Sequence, residues 1–193
     1  MPDVVIVLDM QRCFMEEGKA LYCGAQAREV IPRIQKLLER ESRRGSQIFF
    51  TADAHVENDL EFKMFPRHCV AGTAEAEIIP ELQPWVKPDH VIHKRRYSGF
   101  FETDLDRRLA RLKPETVKVV GVCTNICVMH SVADLRNRDY HVAVYEDGVA
   151  SFDPEGHRFA LRHMRDVLGA EIRSVVAEVG EPEVDRAAVP GGR

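Results

Sequence analysis

Five apolar residues in succession, Val4-Val5-Ile6-Val7-Leu8, form the first patterned segment of the chain. A run this short and mostly β-branched predicts a strand buried on both faces. From Glu29 the period changes. Val30, Ile31, Ile34, Leu37 and Leu38 follow the i, i+3, i+4 spacing of a helix with one apolar stripe, and Gly45 can close it. Further strands are predicted at Gln47 to Ala52, Val91 to His93, Val117 to Val122, His141 to Tyr145 and Ile172 to Ala177. Helical segments fall between them, from about Glu102 to Leu112, Asn125 to Arg138 and Pro154 to Leu168. This alternation predicts an α/β fold, a three-layer α/β/α stack around a six-stranded, mostly parallel sheet.

One domain over residues 1–178 accounts for this pattern, and no internal repeat is visible. Residues 179–193 carry charges, Pro and Gly without a period and read as an extended C-terminal tail. Residues 53–90 are the exception within the domain. They carry little helical period beyond a short piece near Ala74 to Ile79, yet they contain Asp53, His55, Glu61 and His68. A loop of this length inside a compact domain usually serves a function.

Composition removes several classes of function. The 193 residues are 45% hydrophobic and 30% charged, ordinary values for a soluble globular domain. A net charge of −4 provides no basic footprint for nucleic acid. No apolar run approaches membrane-spanning length, and Val4 to Leu8 is too short for a signal-peptide core. The five cysteines form no CxxC pair and no even framework, so reduced thiols in a cytoplasmic protein are expected. Cys13, Cys23 and Cys69 read as packing or spectator thiols.

The candidate chemistry lies where strands end. In open parallel sheets, sites form beyond the carboxyl ends of the strands. Those ends here carry Asp9, Asp53, Lys94 and the stretch Cys123-Thr124-Asn125-Ile126-Cys127. Cys127, near a helix start, would be drawn towards the nucleophilic thiolate. Asp9 could take and return its proton, and an ammonium at Lys94 would depress the pKa of both. Taken singly, each has an ordinary reading: a helix cap, a solvated basic run with Arg95 and Arg96, a buried structural cysteine. Asp53-x-His55 puts two ligand-type side chains on one side of an extended segment, and Glu61 and His68 could complete a set suited to zinc, manganese or iron.

In these residues the chain resembles the isochorismatase-like cysteine hydrolases, and within them the nicotinamidases. The resemblance rests on Val7-Leu8-Asp9-Met10-Gln11 with Phe14, on Asp53-Ala54-His55, and on Phe65-Pro66-Arg67-His68-Cys69-Val70-Ala71-Gly72-Thr73. It continues through Lys94, Tyr97-Ser98-Gly99-Phe100 and Gly121-Val122-Cys123-Thr124-Asn125-Ile126-Cys127-Val128. It implies a catalytic triad of Asp9, Lys94 and Cys127, and metal ligands Asp53, His55, Glu61 and His68. It also implies aromatic walls at Phe14, Phe65 and Tyr97, a cis peptide at Val122–Cys123 and an oxyanion hole from the Cys123 and Cys127 amides. Asn125 departs from the family, where aspartate is common, and Arg95-Arg96 shorten the loop after the lysine.

The activity so implied is metal-dependent hydrolysis of nicotinamide to nicotinate and ammonia through a cysteine thioester. The cofactor would be one divalent ion, zinc first, and the partner a small-molecule amide. A homo-oligomer is also expected. Two alternatives stand beside this reading: another amidase of the superfamily, acting on a carbamoyl amine or ureide, and a non-catalytic thiol-redox or binding protein using Cys123 and Cys127.

Overall fold

The computed structural model describes residues 3–182. Six strands form one parallel sheet: β1 (Val4–Leu8), β2 (Gln47–Asp53), β3 (Val91–Lys94), β4 (Val117–Val122), β5 (Val142–Ala150) and β6 (Glu171–Arg173). Their order is β3-β2-β1-β4-β5-β6, with every pairing parallel. The helices are α1 (Arg12–Met15), α2 (Ala25–Arg28), α3 (Ile31–Arg43), α4 (Leu105–Leu112), α5 (Met129–Arg136), α6 (Pro154–Asp166) and α7 (Val175–Val179). The all-parallel sheet covered on both faces is the predicted fold class.

Alternation along β1 explains the two cores. Val5 and Val7 face one layer with Ile34, Leu37 and Leu38 of α3 and Val175 of α7. Val4, Ile6 and Leu8 face the other, with Leu105 and Leu109 of α4, Val132 and Leu135 of α5, and Met164 of α6. A strand with both faces buried has no polar positions to spare, hence the unbroken apolar run. The first polar residue after it, Asp9, therefore stands at the sheet's carboxyl edge.

Three segments differ from the sequence expectation. The Ile172 to Ala177 strand is in fact short β6 followed by α7. Asp147, in an irregular stretch of β5, accepts from the Val175 and Val176 N–H groups at 2.7 and 3.0 Å, and Ser174 caps Ala177. A helix start captured from 28 residues upstream leaves no local signal. β5 runs to Ala150 rather than Tyr145, because its register slips between Val119 and Gly121 of β4. The helix expected from Asn125 begins instead as a wide π turn, Thr124–Val128, before α5. Of the proposed tail, Val179 ends α7 and residues 183–193 lie outside the described part.

The long loop contains 3₁₀ turns at Leu60–Lys63, Ala74–Ala76, Pro80–Trp85 and Pro88–His90. It is folded back by a parallel bridge between His55 and Val70, with His55 N–H donating to Cys69 O and Ala71 N–H to His55 O. That bridge brings His55 and His68 together. Cys13 and Cys69 are joined as a disulfide, with Cα atoms 5.8 Å apart, which corrects their reading as spectator thiols. Chain reversal between residues so far apart in sequence could not be seen from cysteine spacing. Among the described residues no helix is long and apolar enough to cross a membrane.

Candidate active site and metal centre

Register places the reacting groups side by side. Leu8 pairs with Thr51 on one side and with Gly121 on the other, and Asp53 pairs with Lys94. Asp9, Asp53, Lys94 and the turn after β4 consequently emerge at adjacent points of one edge. Gly121 makes the approach possible. Its φ is +115°, and a Cβ there would lie 2.1 Å from Leu8 O. The Val122–Cys123 peptide is cis, as the resemblance implies.

Lys94 is the hub of the cluster. Its Nζ lies 2.8 Å from Asp9 Oδ2, 2.5 Å from Asp53 Oδ1 and 3.7 Å from Cys127 Sγ. Asp9, Asp53 and Cys127 offer atoms that all lie within 4.8 Å of one another. All four side chains are essentially buried. Burial would strip the ammonium of its proton, but Asp53 and Asp9 outweigh that and hold Lys94 well above its ordinary pKa. For Asp9, burial raises the pKa more than Lys94 lowers it. Burial, reinforced by Asp9, also pushes the Cys127 thiol well up. Lys94 does lower both, as expected, but desolvation outweighs it for Asp9 and Cys127. Cys127 lies in the π turn that opens the helical segment continued by α5.

Asp9 is held from the side by a residue the sequence reading passed over. Thr51 Oγ1 donates to Asp9 Oδ1 at 2.6 Å. Gln11 does similar work for Asp53: its Oε1 accepts the Asp53 N–H at 2.7 Å and its Nε2 donates to Asp53 O at 2.9 Å. Both are buried polar residues near a strand end, the one signal that could have flagged them. In the turn, the Cys123 carbonyl accepts from Ile126 and Val128 N–H and passes over Cys127. Asn125, the departure from the family, accepts from Ser151 Oγ at 2.7 Å.

Beside this cluster lies a set of metal-type donors. Asp53, His55 and His68 present ligand atoms within 4.8 Å of one another. His55 Nε2 is 3.7 Å from Asp53 Oδ2 and 3.9 Å from Glu61 Oε1, and His68 Nε2 is 4.0 and 3.9 Å from the same atoms. Two atoms bound to one ion at about 2.0–2.2 Å lie at most about 4.4 Å apart, so every one of these separations fits. The chemistry fits as well. His68 Nδ1 is turned to Pro66 O at 2.7 Å and His55 Nδ1 to Asp59 at 3.1 Å, which leaves both Nε2 lone pairs facing inward. His55 Nε2 and Glu61 Oε2 are buried without hydrogen-bond partners. Among the described residues, four carboxylates, Asp9, Asp53, Asp59 and Glu61, meet two Lys or Arg side chains, Lys94 and Arg96. A divalent cation would balance them.

Both clusters open into one pocket of about 380 Å³, counted to its open mouth. Asp53, Glu61 and His68, Cys123 and Cys127, and the aromatic residues Phe14, Phe65 and Tyr97 all line it. Leu21, Ile126 and Phe152 complete the wall and were not singled out from sequence. Phe65 and Tyr97 meet edge to face, 6.4 Å between centroids.

The model of the isochorismatase domain matches residues 3–175. The chain belongs to the isochorismatase family. Among solved structures, this family member is similar to the nicotinamidase/pyrazinamidase PncA from Bacillus subtilis, at 32% identity and TM-score 0.84, over 90% of this chain and 100% of that one. It is also similar to the pyrazinamidase of Pyrococcus horikoshii in complex with zinc, at 31% identity and TM-score 0.81, over 90% and 99% of the two chains. A third similarity is to N-carbamoylsarcosine amidase from Thermoplasma acidophilum, at 29% identity and TM-score 0.79, over 91% and 97%.

Proposed function

We propose that this isochorismatase-family protein is a metal-dependent amidohydrolase that converts nicotinamide to nicotinate and ammonia. The observation that carries the reading is that one pocket is shared by two clusters of different chemistry. One cluster is a thiol within reach of a buried carboxylate, and the other is two imidazoles and two carboxylates with inward lone pairs. A flat aromatic ring with a nitrogen at one end and a carboxamide at the other spans such a site between aromatic walls.

Cys127 Sγ gives its proton to Asp9 and attacks the carboxamide carbon. The Cys123 and Cys127 N–H groups receive the developing oxyanion; losing one such donor costs about 100- to 1000-fold in rate. Asp9 returns the proton to the departing ammonia, leaving a thioester on Cys127. Water, deprotonated by Asp9, then attacks the thioester, and nicotinate leaves as the thiol regains a proton. Lys94 keeps Asp9 and the sulfur in register and offsets their charge as the proton moves. Asp53, His55, Glu61 and His68 would hold the ion, zinc first by analogy with the P. horikoshii relative in complex with zinc; the bound ion would supply a Lewis acid to anchor the ring nitrogen.

The similarity to N-carbamoylsarcosine amidase supports a second reading, hydrolysis of a carbamoyl amine by the same triad. Ammonia release across a panel of amides, measured before and after chelation and ion replacement, separates them. Nicotinamide turnover that falls on chelation and returns with the ion is the expected result. A carbamoyl amine turned over equally well with and without metal would overturn the proposal.

A further inference from the structure

Asp59 was not a candidate on sequence grounds, yet it bonds the side chain of one metal-type residue and the backbone of another. Its side chain is 1% exposed. Oδ2 lies 3.1 Å from His55 Nδ1, while Oδ1 accepts the Glu61 N–H at 3.0 Å and Arg96 Nη1 at 2.8 Å. A carboxylate can only accept, so His55 must carry its proton on Nδ1. That leaves Nε2 as the lone-pair nitrogen, and Nε2 is the atom buried without a partner beside Asp53 and Glu61.

The second contact acts on Glu61. Its N–H opens the Leu60–Lys63 turn, and Asp59 caps that turn. The cap fixes the backbone from which Glu61 Oε1 reaches to 3.9 Å from both imidazole Nε2 atoms. One carboxylate thereby sets the tautomer of one donor and the backbone of another. The remaining two have separate supports: Asp53 through Gln11 and Lys94, His68 through Pro66 O. Both Asp59 oxygens are engaged outward, so Asp59 does not itself face the centre. Arg96 ties it to the segment that follows Lys94.

We propose that Asp59 is a positioning residue for the metal site, fixing His55 with Nε2 inward and holding Glu61 in place. The inference rests on the metal-binding part of the reading above. Its test is competition between the full-length protein and a chromophoric chelator for Zn²⁺, using wild type, Asp59→Ala and Asp59→Asn. Wild type should take one ion per chain. Loss of such outer partners typically weakens binding about 10- to 100-fold, and both variants should show it. Asparagine keeps the shape but turns an N–H₂ towards one set of donors, so Asp59→Asn decides the matter if Asp59→Ala does not fold. Histidine ¹⁵N shifts should also report an Nδ1–H tautomer for His55 in zinc-free wild type and a mixture in Asp59→Asn. A wild type that binds no Zn²⁺ overturns the metal reading itself. A wild type that binds, with Asp59→Asn of equal affinity, overturns the role of Asp59 alone.

Discussion

Thr51 Oγ1 donates to Asp9 Oδ1 at 2.6 Å, and Thr51 O accepts the Asp9 N–H at 3.2 Å. Asp9 has a positive φ of 53°, so its carboxylate is aimed by this two-point hold rather than by strand geometry. The Thr51 rotamer is fixed in turn, because its methyl lies against Gly99, 3.1 Å from where a Cβ would be.

Thr51→Val keeps the methyl groups' volume and removes only the donor. A hydrogen bond to a charged group contributes about 1.5–3 kcal/mol. If the aim of Asp9 matters in the transition state, kcat should fall about 10- to 100-fold with KM little changed. Thr51→Ser should recover most of the rate. Steady-state ammonia release checks both, and an unchanged kcat in the valine variant removes Thr51 from the mechanism.

The proposed mechanism needs Asp9 ionised and the Cys127 thiol protonated, which fixes the direction of both pH limbs. Acid protonates Asp9 and removes the acceptor. Burial raises its pKa above the ordinary 3.8, so the acid limb should lie above the usual carboxylate range. Alkali takes the thiol proton that Asp9 must receive. Burial and Asp9 push that thiol above its ordinary 9.0, so the alkaline limb should lie beyond it. A kcat/KM profile for nicotinamide should be bell-shaped with a broad plateau. An acid limb at ordinary carboxylate pH would contradict the desolvated Asp9.

Cys23, Cys123 and Cys127 are the thiols left outside the Cys13–Cys69 disulfide. Denaturation without reductant should expose three thiols to a chromogenic reagent, and five after reduction. Five in both cases would show that Cys13 and Cys69 are reduced in solution.

Much of the site was legible because it lies at strand ends. A buried parallel strand announces itself as an apolar run, and the residues at its carboxyl end become candidates; Asp9, Lys94 and the Cys123 to Cys127 turn are singled out by that rule. The candidate ligands Asp53 and His55 come from the same strand-end reading and the alternation of an extended segment. What escaped was long-range. Asp147 reaching Val175 turned a predicted strand into a helix, and Asp59 and Thr51 matter only through partners that folding brings to them. The thiolate expectation failed for another reason: sequence shows the neighbouring charges but not the burial that outweighs them.

Gly121→Ala should be far more damaging than its size suggests. The added Cβ would meet Leu8 backbone at 2.1 Å, in the centre of the sheet, where neither strand can withdraw. A non-glycine residue at φ +115° adds about 1–3 kcal/mol of strain, and forced overpacking about as much again. Urea denaturation should therefore show several kcal/mol lost or no folded protein at all. A variant within 1 kcal/mol of wild type, by the ~0.5 kcal/mol scatter of surface substitutions, would contradict the close β1–β4 approach.

Lys94→Met tests the hub itself. Removing the ammonium leaves Asp9 and Asp53 buried without their lysine partner, and breaking a buried pair costs about 3–5 kcal/mol. In wild type Asp53 is held at about 2: burial pushes it up, but Lys94 with the other partners outweighs that. Without Lys94 both carboxyls should rise and bind protons. The sign of the pH effect follows. In the metal-free protein at neutral pH the variant should be markedly less stable than wild type. As pH falls the variant's carboxyls are neutralised first, so the gap should narrow. Equilibrium denaturation of both proteins at neutral and mildly acid pH reads this directly. A gap that stays constant, or widens in acid, would mean that Lys94 acts by packing rather than by charge.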